Sequence, residues 1–352
     1  MGSTFLLLSP LAKGCGNFST IQRIRSHLET AGHSCVLWDP DTITDPEMLQ
    51  DIASQHKIQM VLALHAYKAG RHLLGTNLPF ILIFGGTDVN IYAADADKLS
   101  VMTRVVFLAK GIISFSQSLL NAAMLLWPSL DTSKCFEITQ AVVTSPSDFS
   151  MIKYLQNHCG LEIPSEVEPK IFLFVGGIRP VKDPLYLVKQ FGDLHKRRKD
   201  VFYVILGSMA DAAYKDEFMA GISGVPGVVY IPGLSAADTH AAIRGSFALV
   251  NSSQSEGMAV AILEAMDLGV PVLVRDIPGN RAIVTDGTNG LVFNSCDEFQ
   301  QKCEALLDDS TLRTVLTSNS SSYISKYHSL SDERQKYIEV ISSSLDPSLD
   351  IA

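Results

Sequence analysis

No Cys-x-x-Cys pair occurs among the six cysteines, Cys15, Cys35, Cys135, Cys159, Cys296 and Cys303. That removes the usual zinc-ligand spacing and the thioredoxin-type redox motif, and free thiols in a reducing compartment are the expectation. Basic residues are outnumbered, with 28 Lys and Arg against 37 Asp and Glu for a formal charge of −9. A nucleic-acid partner would need a basic stripe. The one dense run, Lys196-Arg197-Arg198-Lys199, reads as the solvated end of a helix. No apolar window stays free of charge over the length of a membrane span. Phe5-Leu6-Leu7-Leu8 lacks the basic flank and the length of a secretory leader, and Leu6 stands where a myristoylation signal carries Ser or Thr. A cytoplasmic protein with no integral membrane segment is expected. Of the Asn-x-Ser sequons at Asn17, Asn251 and Asn319, the first two fall in loops assigned below to ligand binding, so glycosylation is not expected there.

What the chain does have is apolar content, 47% against 18% charged, over a length that accommodates two domains. Short apolar runs at 4–8, 35–38, 60–64, 80–84, 111–115 and 135–138 alternate with helical stretches. The first helix is predicted from about Ser19 to Gly32, with Ile21, Ile24 and Leu28 at helical spacing. The pattern lapses over 157–169, where Gly, Pro and Glu read as an exposed linker. It restarts with strands at 171–175, 201–206, 228–231, 247–250, 272–274 and 290–293, a helix through 185–194 and a helical region over 298–344. Such alternation predicts an α/β chain with two Rossmann-like, doubly wound parallel sheets in series. The predicted divisions are an N-terminal domain (1–156), the linker (157–169), a C-terminal domain (170–325), and a final helix and tail (326–352). Two such sheets imply a central cleft, with ligands at the carboxyl ends of the strands.

The most specific motif is Ser255-Glu256-Gly257-Met258-Ala259-Val260-Ala261-Ile262-Leu263-Glu264-Ala265-Met266, which follows a strand and opens a helix. Glu256 falls in the loop and Glu264 about two turns into the helix. Backbone N–H groups at Gly257, Met258 and Ala259 are expected to form a helix N-terminus able to receive a diphosphate. An ordinary amphipathic helix with one capping Glu is the plain alternative. Against it, Glu264 lies in an apolar run where an unpaired carboxylate would be costly, and a ribose diol would satisfy it.

This pattern resembles the E-x7-E motif of the retaining glycosyltransferases of family 4, the glycosyl transferases group 1. Leu268-Gly269-Val270-Pro271-Val272, Ile277-Pro278-Gly279-Asn280 and Asp286-Gly287-Thr288-Asn289-Gly290-Leu291-Val292 resemble the family's next segments, in order. The resemblance covers nearly all of 165–340 and implies the GT-B architecture. It also implies that Glu256 contacts the transferred sugar and Glu264 the ribose. In Gly176-Gly177-Ile178-Arg179-Pro180-Val181-Lys182, Lys182 matches a cation facing the donor diphosphate. Gly177 stands where the family has arginine, so Arg179 is the candidate substitute. Fixed cations there would stabilise the charge that develops on the leaving nucleotide.

On the N-terminal side, Gly14, Gly16 and Asn17 follow the first strand in a loop resembling the family's glycine-rich loop near the diphosphate and acceptor. Conversion to a nicotinamide-binding G-x-G-x-x-G fails because Ser19 stands at the third glycine. Phe84-Gly85-Gly86-Thr87-Asp88 resembles the family's H-G-T-D segment, with Gly85 in place of histidine; Asp88 and His65 are left as candidate catalytic groups. Asp39-Pro40-Asp41 invites a metal reading, but it lies far upstream of the donor motifs, so neither a metal nor another cofactor is expected.

The resemblance thus implies transfer of a sugar from a UDP- or GDP-linked donor to an acceptor, with anomeric retention. Gly85 and Gly177 keep open a catalytically weak nucleotide-sugar-binding or scaffold protein of the same fold. A phosphorylase or epimerase on that fold is a further alternative, although no lysine can be assigned to pyridoxal phosphate.

Overall fold

The computed structural model describes residues 2–11, 16–161 and 168–345. Contacts divide the chain into two units. The first holds the described residues up to Ala141, Ser255–Met258 and those from His328 onward; the second holds those of Val142–Gln254 and Ala259–Tyr327.

The first unit is built on β1 (Thr4–Leu8), β2 (Ser34–Trp38), β3 (Met60–Leu64), β4 (Phe80–Ile83), β5 (Gly111–Ser114) and β6 (Cys135–Glu137), all parallel, in the order β2-β1-β3-β4-β5-β6. β3 to β5 are buried along their whole length and so read as unbroken apolar runs, as strands covered on both faces must. Helices make the crossovers, several of them capped: Asp45 accepts from Met48 N–H, and Ser116 from Leu119 N–H. Leu6, Leu8, Leu82 and Phe84 form the core, where Trp127 stacks on Phe84 at 5.9 Å. The last helix, Leu330–Leu345, packs on the first, Gly16–Thr30.

The second unit carries β7 (Lys170–Val175), β8 (Val201–Leu206), β9 (Val228–Ile231), β10 (Ala248–Asn251), β11 (Val272–Arg275) and β12 (Leu291–Phe293), again all parallel, ordered β12-β11-β10-β7-β8-β9. Its core is aromatic: Phe191 stacks on Tyr203 at 4.3 Å and meets Phe172 and Phe299 at 5.2 Å.

Each sheet has a topological switch point, where successive strands leave in opposite directions. In the first it falls between β1 and β3, in the second between β7 and β10.

Every expected strand is present, but helix ends move. The first helix begins at Gly16, so Gly16 and Asn17 lie in its first turn and not in a loop. The helix expected over 185–194 runs Val188–Arg197. The 298–344 region is three helices, Cys296–Asp308, Ser310–Tyr327 and Leu330–Leu345. The breaks fall where polar side chains cap: Asp309 accepts from Thr311 and Leu312 N–H, and Ser329 from Asp332 N–H. The helix Met151–Cys159 occupies the first part of the expected linker, ending on Gly160 in the left-handed conformation, φ 63°. Gly14, the linker residues 162–167 and the tail beyond 345 lie outside the described residues.

Candidate functional site

At the switch point of the second sheet, two loops leave the ends of β7 and β10. The β7 loop turns through Gly176 and Gly177 into a short turn, Pro180–Lys182, preceded by Arg179. Gly207, at the end of β8, approaches so closely that a Cβ would lie 1.8 Å from the Gly176 carbonyl oxygen. A Cβ on Gly177 would press on Ala210 at 3.0 Å, a local reason for its lacking a side chain. Arg179 is half-buried; its carbonyl accepts from Lys182 N–H at 3.1 Å, and its side chain makes no hydrogen bond or ion pair among the described residues.

Lys182 is followed by Asp183, a non-glycine residue at φ 46°. Three groups hold it: Arg275 Nη1 donates to its carboxylate at 2.8 Å, Gln254 Nε2 at 3.1 Å, and Ser252 Oγ donates to its carbonyl at 2.8 Å. The Arg275 guanidinium lies 4.1 Å from the Tyr186 ring centroid and also reaches the Ser252 carbonyl. The loop bearing Lys182 is thereby tied to the ends of β10 and β11.

The helix of the β10 loop spans Val260–Asp267, beginning after the three residues expected to form its N-terminus. Ala259 is its extended N-cap, and no side chain caps it. Gly257, Met258 and Ala259 precede the helix, because Gly257 is a poor helix former and Ala259 has ψ 96°. The first-turn amides of Val260 and Ala261 have no hydrogen bond among the described residues. Glu264 lies in the second turn with its side chain 19% exposed. It is not unpaired, as its apolar sequence neighbours suggested: His240 Nε2 stands 3.3 Å from its Oε1. The other imidazole nitrogen, Nδ1, accepts from Ser145 N–H at 3.0 Å. The Glu264 hydrogen bond raises the His240 pKa above its ordinary value, outweighing desolvation.

In the first unit, His65 directly follows β3, at φ 89° and 1% exposed. Its Nδ1 accepts from Tyr67 and Lys68 N–H at 3.2 Å, so the proton sits on Nε2, which faces Thr87 Oγ1 at 3.2 Å. Asp88 is fully buried; its Oδ2 accepts from Ala66 and Gly85 N–H at 2.9 and 3.0 Å, and its Oδ1 from Val89 N–H at 3.0 Å. Both side chains therefore clamp the loops after β3 and β4. A Cβ on Gly85 would meet His65 at an ordinary 3.6 Å. Gly257 admits none: it would lie 2.8 Å from Gly86 Cα. Glu256 and Met258 flank it, Glu256 half-buried and Met258 buried. Gly16 and Asn17 open the helix after β1, and open space surrounds the Gly16 position.

Asp39 is occupied as a cap, accepting from Asp41 N–H and Leu11 N–H at 3.0 and 3.1 Å, while Asp41 lies 3.7 Å from Arg71. Among the described residues no group of three or more His, Cys, Asp or Glu is placed to hold a metal ion, and no helix is long and apolar enough to cross a membrane. A concavity of about 510 Å³ between the helices Val188–Arg197 and Lys215–Ile222 contains none of these residues.

Asp183, Arg275, Ser252 and His240 carry no local motif. An arginine ending a buried strand next to the switch point was the one available signal, and it points to Arg275.

Two doubly wound units, with cations and an uncapped helix at the second one's switch point, define a two-Rossmann-domain architecture of the GT-B class. Solved structures share the fold. Anabaena HepE in complex with UDP-glucose superposes with a TM-score of 0.77 at 16% identity over 97% of this chain and 99% of that one. Sucrose-phosphate synthase from Thermosynechococcus elongatus gives 0.76 at 14% identity over 97% and 98%. Residues 162–322 match the family model described as glycosyl transferases group 1. Glycosyltransferase 1 domain-containing protein 1 of Xenopus tropicalis is 39% identical over 337 residues, 96% of each chain. The chain belongs to the glycosyl transferases group 1 family.

Proposed function

We propose that the chain moves a sugar from a UDP- or GDP-linked donor to an acceptor, with retention of anomeric configuration and without a metal ion. The observation that carries this reading is the switch point of the second sheet: Arg179, Lys182 and the uncapped amides of Val260 and Ala261 lie where its ligand belongs. Two cations and a helix N-terminus suit a diphosphate whose charge grows as the glycosidic bond breaks. Glu264 takes the ribose diol and Glu256 the transferred sugar. The loops after β1, β3 and β4 form the acceptor side, with His65 and Asp88 fixing the backbone of the latter two. Free thiols at Cys35, Cys135, Cys159, Cys296 and Cys303 favour a reducing, cytoplasmic setting.

The test is calorimetry with UDP and GDP in the presence of a chelator, followed by turnover assays. One of the two should bind; binding that needs Mg²⁺ or Mn²⁺ would overturn metal independence. Glu264→Gln should weaken nucleoside diphosphate and intact donor alike, by about tenfold for a charge-assisted hydrogen bond. Glu256→Gln should leave nucleoside diphosphate affinity unchanged and lower kcat. Equal losses of plain nucleotide binding in both variants would contradict this division.

A second reading, nucleotide-sugar binding with weak turnover, is favoured by the engagement of His65 and Asp88 with backbone amides. Donor binding without consumption across a broad acceptor panel would select it.

A further inference from the structure

We propose that His240 is a positioning residue for Glu264: it holds one carboxylate oxygen so that the other is presented to the ribose hydroxyls. The inference rests on the ribose role given to Glu264 above.

The geometry begins with a proton. A ring nitrogen that accepts from an amide carries none, so Ser145 N–H at Nδ1 places the neutral imidazole's proton on Nε2, facing Glu264. The amide that selects this tautomer is itself fixed on both sides. Thr144 Oγ1 donates to Asp267 Oδ2 at 2.6 Å, at the end of the helix that carries Glu264. Ser147 Oγ donates to Asp238 Oδ1 at 2.6 Å, and Ser147 N–H to the Ala237 carbonyl at 3.0 Å, both on the helix Ala236–Arg244 that carries His240. One short segment, 144–147, thus ties together the two helices and sets the imidazole between them.

The consequence falls on Glu264. Its Oε1 is engaged by His240, whereas Oε2 has no hydrogen bond among the described residues. A glutamate near a helix start has several rotamers, and ordering one at the moment of binding lowers affinity. An imidazole that has already chosen the rotamer removes that loss, and it leaves an acceptor oxygen directed away from itself.

Calorimetry on the full chain separates this role from mere support of the fold. The probes are UDP and GDP, and the 2′,3′-dideoxy form of whichever binds better. Wild type should prefer the ribonucleotide. His240→Ala should weaken it roughly five- to tenfold, about one hydrogen bond's worth, and the dideoxy form less than twofold. His240→Gln, which places a donor near the Nε2 position, should recover most of the preference. His240→Asn, whose amide falls short of it, should not. Should the alanine variant fail to fold, the comparison of Gln with Asn decides on its own. Equal weakening of both nucleotides, or no recovery by Gln over Asn, overturns the positioning role. If Glu264→Ala abolishes the preference for ribose and His240→Ala keeps it, this inference fails while the ribose reading stands. If Glu264→Ala keeps the preference, or neither diphosphate binds, the ribose reading fails and the inference with it.

Discussion

Asp183 shows how one residue joins backbone strain to function. A non-glycine residue in the left-handed region costs about 1–2 kcal/mol, although aspartate is among the more tolerant types. Here the carboxylate receives Arg275 and Gln254, and Ser252 holds the carbonyl, so the position is over-determined. Asp183→Gly removes the carboxylate but suits φ 46°, whereas Asp183→Ala loses both. The alanine variant should therefore be the less stable of the two by about 1 kcal/mol in urea unfolding followed by circular dichroism. Both should weaken nucleoside diphosphate to the same extent, because Lys182 loses the same anchor. Equal stability in the two variants would remove strain from this account. Lys182's place in the loop after a strand was legible, its part as a phosphate ligand being what the family resemblance implies. Its support was not, since Arg275 lies 92 residues beyond Asp183 and only the sheet order brings the two together. Glu264 taught the same lesson in reverse: its apolar neighbours suggested an unpaired carboxylate, and the partner stood on another helix.

At the scale of elements, strands were readable and helix ends were not. A strand covered on both faces must be apolar throughout, a strong local signal, while a helix end depends on caps that compete within a residue or two. The least legible pairing was that of the helices Gly16–Thr30 and Leu330–Leu345, far apart in sequence and joined by a buried ion cluster. Glu333, 2% exposed, accepts from Arg23 Nε at 2.7 Å and lies 2.7 Å from His27 Nε2. Burial pushes the Glu333 carboxyl upward, but the His27 hydrogen bond and the Arg23 charge prevail and hold its pKa below the ordinary value. The sign follows: the contribution is complete above the ordinary glutamate value of 4.5 and fades as pH falls through the lower folded value. Glu333→Gln leaves the Arg23 guanidinium without its counter-charge and should destabilise the first unit by about 3 kcal/mol at neutral pH. Tryptophan fluorescence reads this unit alone, since both tryptophans belong to it, Trp127 in its core and Trp38 packed against that core. The gap between wild type and variant in urea midpoints should narrow as pH falls below 4.5; a gap independent of pH would show that the charge is not what Glu333 contributes.

For the whole molecule, two units of the same construction raise the question of which one takes the nucleotide. Both sheets have a switch point, and both switch points are followed by glycine-bearing loops. They differ in charge and in unpaired donors. The second has Arg179 and Lys182 beside a helix whose first amides are uncapped. In the first, the acceptor atoms of His65 and Asp88 are already taken by backbone amides. An anion gains most where fixed positive charge stands beside uncapped helix amides. Hydrogen exchange on the full chain, with saturating UDP or GDP and a chelator present, should therefore slow chiefly in two stretches, 176–187 and 252–264. A ligand at a hundred times its Kd adds about 2.7 kcal/mol to any opening that releases it, so amides exchanging through such openings should slow by about a hundredfold. The amides of Val260 and Ala261, which have no hydrogen bond among the described residues, should show the clearest gain. Protection confined to the loops after β1 and β3 would move the nucleotide to the first unit. Protection that appears only with added Mg²⁺ or Mn²⁺ would return Asp39 and Asp41 to consideration.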